Sequence, residues 1–357
     1  MIELKNSVFP SSQLNVWPWT EETNSVFYDP DIQYPKISIV TPSFNQGKYI
    51  EETIRSILLQ NYPNLEYIII DGGSTDNTVE IIKKYNKWIT YWVSEPDKGQ
   101  SHAINKGIEK CTGDIFNWLN SDDYYMPDTF SQVAIAFMSD PSLQVVSGFE
   151  NHIGLDGKNT LNEGTFLKRK LEETIEFCQV AQPSTFFKLS SIRQIGGVPE
   201  DLHYIMDGEM WMKLLLWYGQ NHFLKIKKVL VNFRLHEDSK TVNNLVVNNF
   251  LYERSSIIAD LQRYIGVPAE IINYYITQIY QTPKVYHLNR AWQLNENILA
   301  KRKLRIYFIK KYVVKQFISK NRKQAYWGLK QLIKNKAFDL YLLKGFAKLL
   351  IKTYRYE

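Results

Sequence analysis

Cysteine is scarce. Cys111 and Cys178 are the two in 357 residues, and no Cys-x-x-Cys spacing exists. That excludes a disulfide framework and a cysteine-based zinc site, and makes a reducing cytoplasm the default setting. Long apolar runs are missing as well: no stretch reaches eighteen residues, so no membrane-spanning helix is expected. Met1-Ile2-Glu3-Leu4-Lys5 lacks the apolar core of a signal peptide. There is no internal repeat and no low-complexity tract. Acids are rare in one region only. From Ile298 to Glu357 there are seventeen Lys and Arg against two acids, whereas residues 1–297 carry 26 basic and 35 acidic residues. The formal charge of +6 therefore hides an acidic body with a basic tail.

What is present is a folded composition, 44% hydrophobic and 14% aromatic, which excludes a disordered chain and leaves length for two domains. Residues 1–35, with Pro10, Pro18, Pro30 and Pro35 and little periodicity, predict an extended arm laid over a domain. Residues 36–240 then alternate. Strands are expected at 36–41, 66–70, 89–93, 115–119 and 144–149, with helices at 46–60, 79–85, 100–109 and from Pro127 to Phe137. Alternation at this pitch implies βαβ units and a mostly parallel sheet. A helix at 169–177, a strand at 184–187, a helix at 207–218 and strands at 222–226 and 229–235 follow. Residues 241–357 read as a helical, basic C-terminal region, helical over 245–281 and 302–355.

The polar clusters fall at strand ends, where open α/β sheets bind ligands. Asn120-Ser121-Asp122-Asp123 closes the run Ile115 to Leu119. Adjacent carboxylates at a buried strand end repel, and a divalent cation, Mg²⁺ or Mn²⁺, relieves the conflict; a solvated turn is the plain alternative. Asp71-Gly72-Gly73 lets a flat ring approach the backbone while a carboxylate accepts its N–H, as uracil would require, or else forms an Asx turn. Lys98 and Lys106 could face phosphates or simply be solvated, and Gly99 precedes a helix N-terminus. Asp207 and Glu209 open a very apolar helix, as a cap or as a general base. Arg234 and His236 end a strand with groups suited to pyrophosphate or metal.

Six segments together resemble the family-2 glycosyltransferases of the GT-A fold: Ile39 to Asn45, Asp71 to Asp76, Asn105-Lys106-Gly107, Trp118 to Asp123, Asp207 to Leu214 and Arg234-Leu235-His236. The resemblance spans residues 36–240 and implies a GT-A (Rossmann-like) α/β sheet with helices on both faces, plus an α-helical C-terminal extension. It implies an inverting enzyme that takes a sugar from a nucleoside-diphosphate sugar, UDP favoured. The acceptor would be a hydroxyl of a glycan or lipid-linked sugar in cell-surface polysaccharide synthesis. Thr41, Pro42 and Asp71 would hold the base. Phe44, Asn45, Lys98, Gln100, Asn105, Asn120 and Ser121 complete the nucleotide-binding candidates. Asp122, with Asp123 and His236, would hold the metal, and Asp207 or Glu209 would be the base. Asn120 departs from the family's Asp-x-Asp pattern, and His102 stands where relatives carry Asp. The other classes weighed are a sugar nucleotidyltransferase and a non-catalytic membrane- or nucleic-acid-binding protein. The first is a poor match because Thr41 to Lys48 carries one Gly and one Lys. In the tail, Lys344, Lys348, Lys352 and Arg355 share a helical stripe among bulky aliphatics, which argues against nucleic acid. It favours peripheral binding to an anionic membrane on its cytoplasmic face.

Overall fold

The computed structural model describes residues 17–19, 28–237, 239–240, 247–282 and 285–337. Apolar segments of strand length alternate with amphipathic ones from the start. They form β1 (Ile37–Ser43), α1 (Ile50–Leu58), β2 (Leu65–Asp71), α2 (Thr78–Lys84), β3 (Tyr91–Ser94), α3 (Gln100–Lys110) and β4 (Ile115–Trp118). Every residue of β1 is buried, so both its faces are covered. Ile37 and Ile39 join Ile50, Ile54 and Ile57 of α1 in the core. Val40, on the opposite face, meets α3 at Gly107, where a Cβ would stand 2.4 Å from Val40 Cγ1. Glycine is what lets that helix lie so close.

Beyond β4 come β5 (Tyr124–Tyr125), α4 (Thr129–Ser139), β6 (Val145–Ile153), β7 (Asn159–Asn162) and α5 (Leu171–Phe177). They are followed by β8 (Thr185–Lys188), α6 (Leu189–Gln194), α7 (Met206–Tyr218) and β9 (Phe223–Arg234). The sheet runs β3-β2-β1-β4-β8-β6-β9-β5, with β7 beside β6. It is parallel through its first four strands and mixed beyond them, where β8 enters antiparallel to both β4 and β6. The two strands expected at 222–226 and 229–235 are one, β9. Its register against β6 is nonetheless broken at the gap between those two segments, where Lys225 to Val231 lies opposite only Ser147 to Glu150, and Leu230 presses on Gly148 within 2.4 Å of where a Cβ would be. Helix α4 starts at Thr129 rather than Pro127, because Asp128 before it is left-handed, at φ 64°. At the N-terminal end, Arg55 Nε donates to Pro18 O at 3.1 Å, and Tyr28 and Tyr34 meet edge to face at 5.4 Å.

The chain divides into two units, Met1–Arg254 and Ser255–Glu357. Helix α8 (Val247–Tyr264) contains the division. The second unit continues with α9 (Ala269–Tyr274), a π-helical turn at Tyr275–Ile279, α10 (Lys301–Ile318) and α11 (Arg322–Lys334). Its extended stretch is fastened by Asp260, which accepts from Asn289 N, Arg290 N and Trp292 Nε1 at 3.0–3.2 Å. Helices α10 and α11 close together at Gly328, 2.7 Å from Val313 at its missing Cβ. No helix among the described residues is long and apolar enough to cross a membrane. The basic stripe expected at Lys344 to Arg355 lies outside the described residues.

Candidate active site

Parallel register brings the carboxyl ends of β1, β2 and β3 into one row, with Ser43 opposite Asp71 and Asp71 opposite Ser94. Asp71 organises that row. It is fully buried, and its carboxylate accepts from Gly73 N, Ser74 N, Ser74 Oγ and Ser94 Oγ at 2.5–3.2 Å. Three of those bonds fall on Oδ2, which leaves Oδ1 with Ser74 Oγ and a lone pair to spare. Above the row opens a cleft of about 710 Å³. Pro42, Phe44, Gln100, Asn120 and Ser121 line it, and Phe44 stands 58% exposed at its edge.

Asp122, Asp123 and His236 line the same cleft. The antiparallel pairing of β5 with β9, Tyr124 opposite Asn232, is what brings residues 114 positions apart together. Asp122 Oδ2 lies 2.9 Å from His236 Nε2. Arg234 binds the acidic turn through its backbone N–H to Asp123 Oδ1 at 2.9 Å and its guanidinium to Asp122 O at 2.7 Å. Its other arm pairs with Glu52 at 2.5 Å. Arg234 is therefore spent on holding the turn. Burial, and then the neighbouring Asp122, push the Asp123 carboxyl well above the usual carboxylate range. Asp123 Oδ2 and His236 Nδ1 are buried without a hydrogen-bond partner. A carboxylate and an imidazole side by side, next to an orphaned carboxylate oxygen, are donors of the kind a hard divalent cation takes, and would hold one only with further oxygen ligands from outside the protein. The described residues hold no group of three His, Cys, Asp or Glu that would cage such an ion alone.

Asp207 lines the cleft from α7, and Glu209 does not. Burial pushes the Asp207 carboxyl up to about 6, against the N–H of Gly208, which donates to Oδ1 at 2.8 Å. Glu209 is fully buried and pairs with Lys213 at 2.9 Å. The segment leading into α7 is anchored by Glu253 of α8. Its carboxylate accepts three consecutive backbone N–H groups, His203, Tyr204 and Ile205, at 2.8–2.9 Å. Removing it leaves three part-buried donors without their shared acceptor, each at a fraction of the about 1–3 kcal/mol that a fully buried one costs. Glu253→Ala is accordingly expected to lower stability by about 2 kcal/mol and to weaken turnover, read by urea unfolding and by rate. Unchanged values in both would reject the anchoring role.

Of the other sequence candidates, Thr41 is fully buried and accepts from Tyr67 OH at 3.2 Å. Asn45 Oδ1 accepts from Thr75 N at 2.8 Å and braces the loop after β2. Asn105 bonds Val198 through both amide atoms at 2.8 and 3.0 Å. Lys98 is exposed, outside the cleft lining. Asn120 Oδ1 accepts from Gln100 Nε2 at 2.7 Å, and Gln100 Oε1 accepts from Lys240 Nζ at 3.0 Å. The sequence reading missed Lys240, a cation in the cleft wall whose own partners are the neutral Gln100 Oε1 and His203 O. Desolvation pulls its pKa below the ordinary lysine value, opposed by Glu253, Asp207 and Asp122. It also missed Glu253, Tyr204 and Phe250.

Residues 38–194 match the model of glycosyl transferase family 2. An uncharacterized glycosyltransferase of Mycobacterium tuberculosis (strain CDC 1551 / Oshkosh) is 31% identical over 189 residues, 51% of this chain and 70% of that protein. The chain belongs to the family-2 glycosyltransferases. An uncharacterized glycosyltransferase of Rickettsia typhi is 31% identical over 58% of this chain and 66% of its own length. The chondroitin synthase of Pasteurella multocida is 29% identical over 59% of this transferase, but the match spans only 22% of the synthase. In fold, the transferase resembles S. aureus TarS residues 1–349, a crystal structure in complex with UDP-GlcNAc. The TM-score is 0.53 at 19% identity, covering 84% of this chain and 81% of that one. The α/β sheet with its C-terminal helices α10 and α11 is the GT-A arrangement expected from the sequence.

Proposed function

We propose that the protein transfers a hexosyl residue from a nucleoside-diphosphate sugar, a UDP-sugar before others, to a hydroxyl of a glycan or lipid-linked sugar in cell-surface polysaccharide synthesis, with inversion at the anomeric carbon. One observation carries the reading. A carboxyl group raised to about 6 and a carboxylate–imidazole pair line the same cleft. That is what a direct displacement asks for: a base on one side of the reacting carbon and charge stabilisation for the leaving diphosphate on the other.

In this reading Phe44 offers its ring to the base, and the spare lone pair of Asp71 Oδ1 takes the base N–H. Asp122 and His236 would hold Mn²⁺ or Mg²⁺, which when bound stabilises charge on the leaving diphosphate. Lys240, in the same cleft lining, adds a second positive charge toward that diphosphate. Asp207, rather than Glu209, accepts the acceptor hydroxyl's proton. The UDP preference is supported by uracil's N–H and by the ligand of the TarS structure. The basic C-terminal region would keep the enzyme peripheral on the inner, cytoplasmic face of the cell membrane, near a lipid-linked acceptor.

The test is a panel of nucleotide sugars incubated with the full chain and Mn²⁺, with release of nucleoside diphosphate as readout. Slow hydrolysis of one donor, UDP-linked and metal-dependent, is the expected result. Hydrolysis of none, together with no calorimetric binding of UDP, would overturn the reading.

A further inference from the structure

In the second unit, the turn between α10 and α11 presents a surface that no residue of the candidate active site contributes to. Ile318, at the end of α10, is 72% exposed, and Val314, one turn earlier, is 40% exposed. Lys315, Lys320, Arg322 and Lys323 surround them along the chain, all exposed. Lys320 takes the left-handed conformation, at φ 57°, that reverses the chain. One turn into α11, Tyr326 is 53% exposed, with Lys330 Nζ 4.7 Å from its ring centroid. From Lys301 to Lys336 the sequence holds thirteen basic residues and no acid.

Each half of this pattern points to a different solvent. An aliphatic side chain as large as Ile318 is stabilised by leaving water, whereas the ammonium and guanidinium groups beside it must stay at a polar, anionic surface. A nucleic acid answers the charges and leaves Ile318 in water. An apolar protein groove answers Ile318 and strands the charges. The boundary between anionic headgroups and acyl chains answers both. No described helix can span a bilayer, so such contact is superficial.

We propose that the tip formed by Val314, Lys315, Ile318, Lys320, Arg322 and Lys323 docks on an anionic lipid surface, with Ile318 at the acyl boundary and the basic groups among the headgroups. This deepens the peripheral part of the proposed function by naming the docking surface. It does not depend on sugar transfer.

The experiment is co-sedimentation of the full chain with vesicles of phosphatidylglycerol and phosphatidylcholine, and with phosphatidylcholine alone. Binding to the anionic vesicles and not the neutral ones is expected. Each basic residue at the surface is worth about fivefold in partition (~1 kcal/mol), so the triple variant Lys320→Gln, Arg322→Gln, Lys323→Gln should bind about a hundredfold more weakly. Ile318→Ser should lose about tenfold. These positions are exposed, so circular dichroism and UDP binding should match the parent and show that the fold is intact. Absence of anionic-vesicle binding, equal binding to neutral vesicles, or binding that survives either variant would each overturn the proposal. Failure of donor hydrolysis with vesicle binding intact would count against the transferase reading alone.

Discussion

Replacing Asp207 by Asn is expected to lower transfer by about 10²–10⁴-fold while leaving donor affinity unchanged, the ordinary signature of a lost general base. The substitution is nearly isosteric, and Asn Oδ1 can still accept the Gly208 N–H that Asp207 accepts at 2.8 Å. What disappears is the proton acceptor. Because burial raises this carboxyl to about 6, the group is ionised only above that pH. Transfer by the parent enzyme should therefore rise through pH 6 as the base loses its proton, and that acid limb should vanish in the variant. Glu209, two residues on, is the competing assignment. It lies outside the cleft lining and pairs with Lys213 at 2.9 Å, so Glu209→Gln should cost stability more than turnover. An active Asp207→Asn enzyme beside a dead but folded Glu209→Gln enzyme would move the assignment to Glu209.

The parallel half of the sheet was legible because its strands are continuous apolar runs and its helices keep a 3.6-residue period. Burial on both faces of β1 follows directly from Ile37 to Ser43 being nearly all apolar or small. The clustering of polar residues at strand ends was legible for the same reason, since a parallel sheet fixes which ends coincide. The mixed half was less so. Strand β5 is two residues long, too short to show any period, yet its pairing with β9 is what sets Asp122 against His236. Strand β7 has three exposed residues of four and no apolar face to announce it. Glu253 was missed, because nothing in residues 203–205 signals three backbone donors converging on a point fifty positions away. Such long-range polar contacts leave no local pattern. Sequence reading finds the side chains that chemistry demands more readily than those that hold them in place.

The neighbouring carboxylates Asp122 and Asp123 should respond to neutralisation in opposite ways. Asp122→Asn is expected to abolish the gain in UDP affinity that Mn²⁺ confers, by more than about 100-fold, since loss of even an outer partner of a metal ligand costs ~10–100-fold. Asparagine keeps the bond to His236 Nε2 but not the negative charge a divalent cation requires. Asp123 differs in environment. It is 1% exposed, its Oδ1 takes the Arg234 N–H, and its Oδ2 has no hydrogen-bond partner. Burial and the adjacent Asp122 charge disfavour its ionised form, so the folded protein binds a proton there more tightly than the unfolded chain does. A group with a raised folded pKa stabilises the fold at low pH and loses that contribution as pH rises through the folded value. Asp123→Asn, permanently neutral, should therefore flatten the decline in stability with pH, in the absence of metal, and leave part of the Mn²⁺ effect on UDP binding. Calorimetric titration of UDP with and without Mn²⁺, beside thermal unfolding from acid to neutral pH, separates the two roles. An Asp122→Asn protein that keeps the full Mn²⁺ enhancement would remove Asp122 from the metal site.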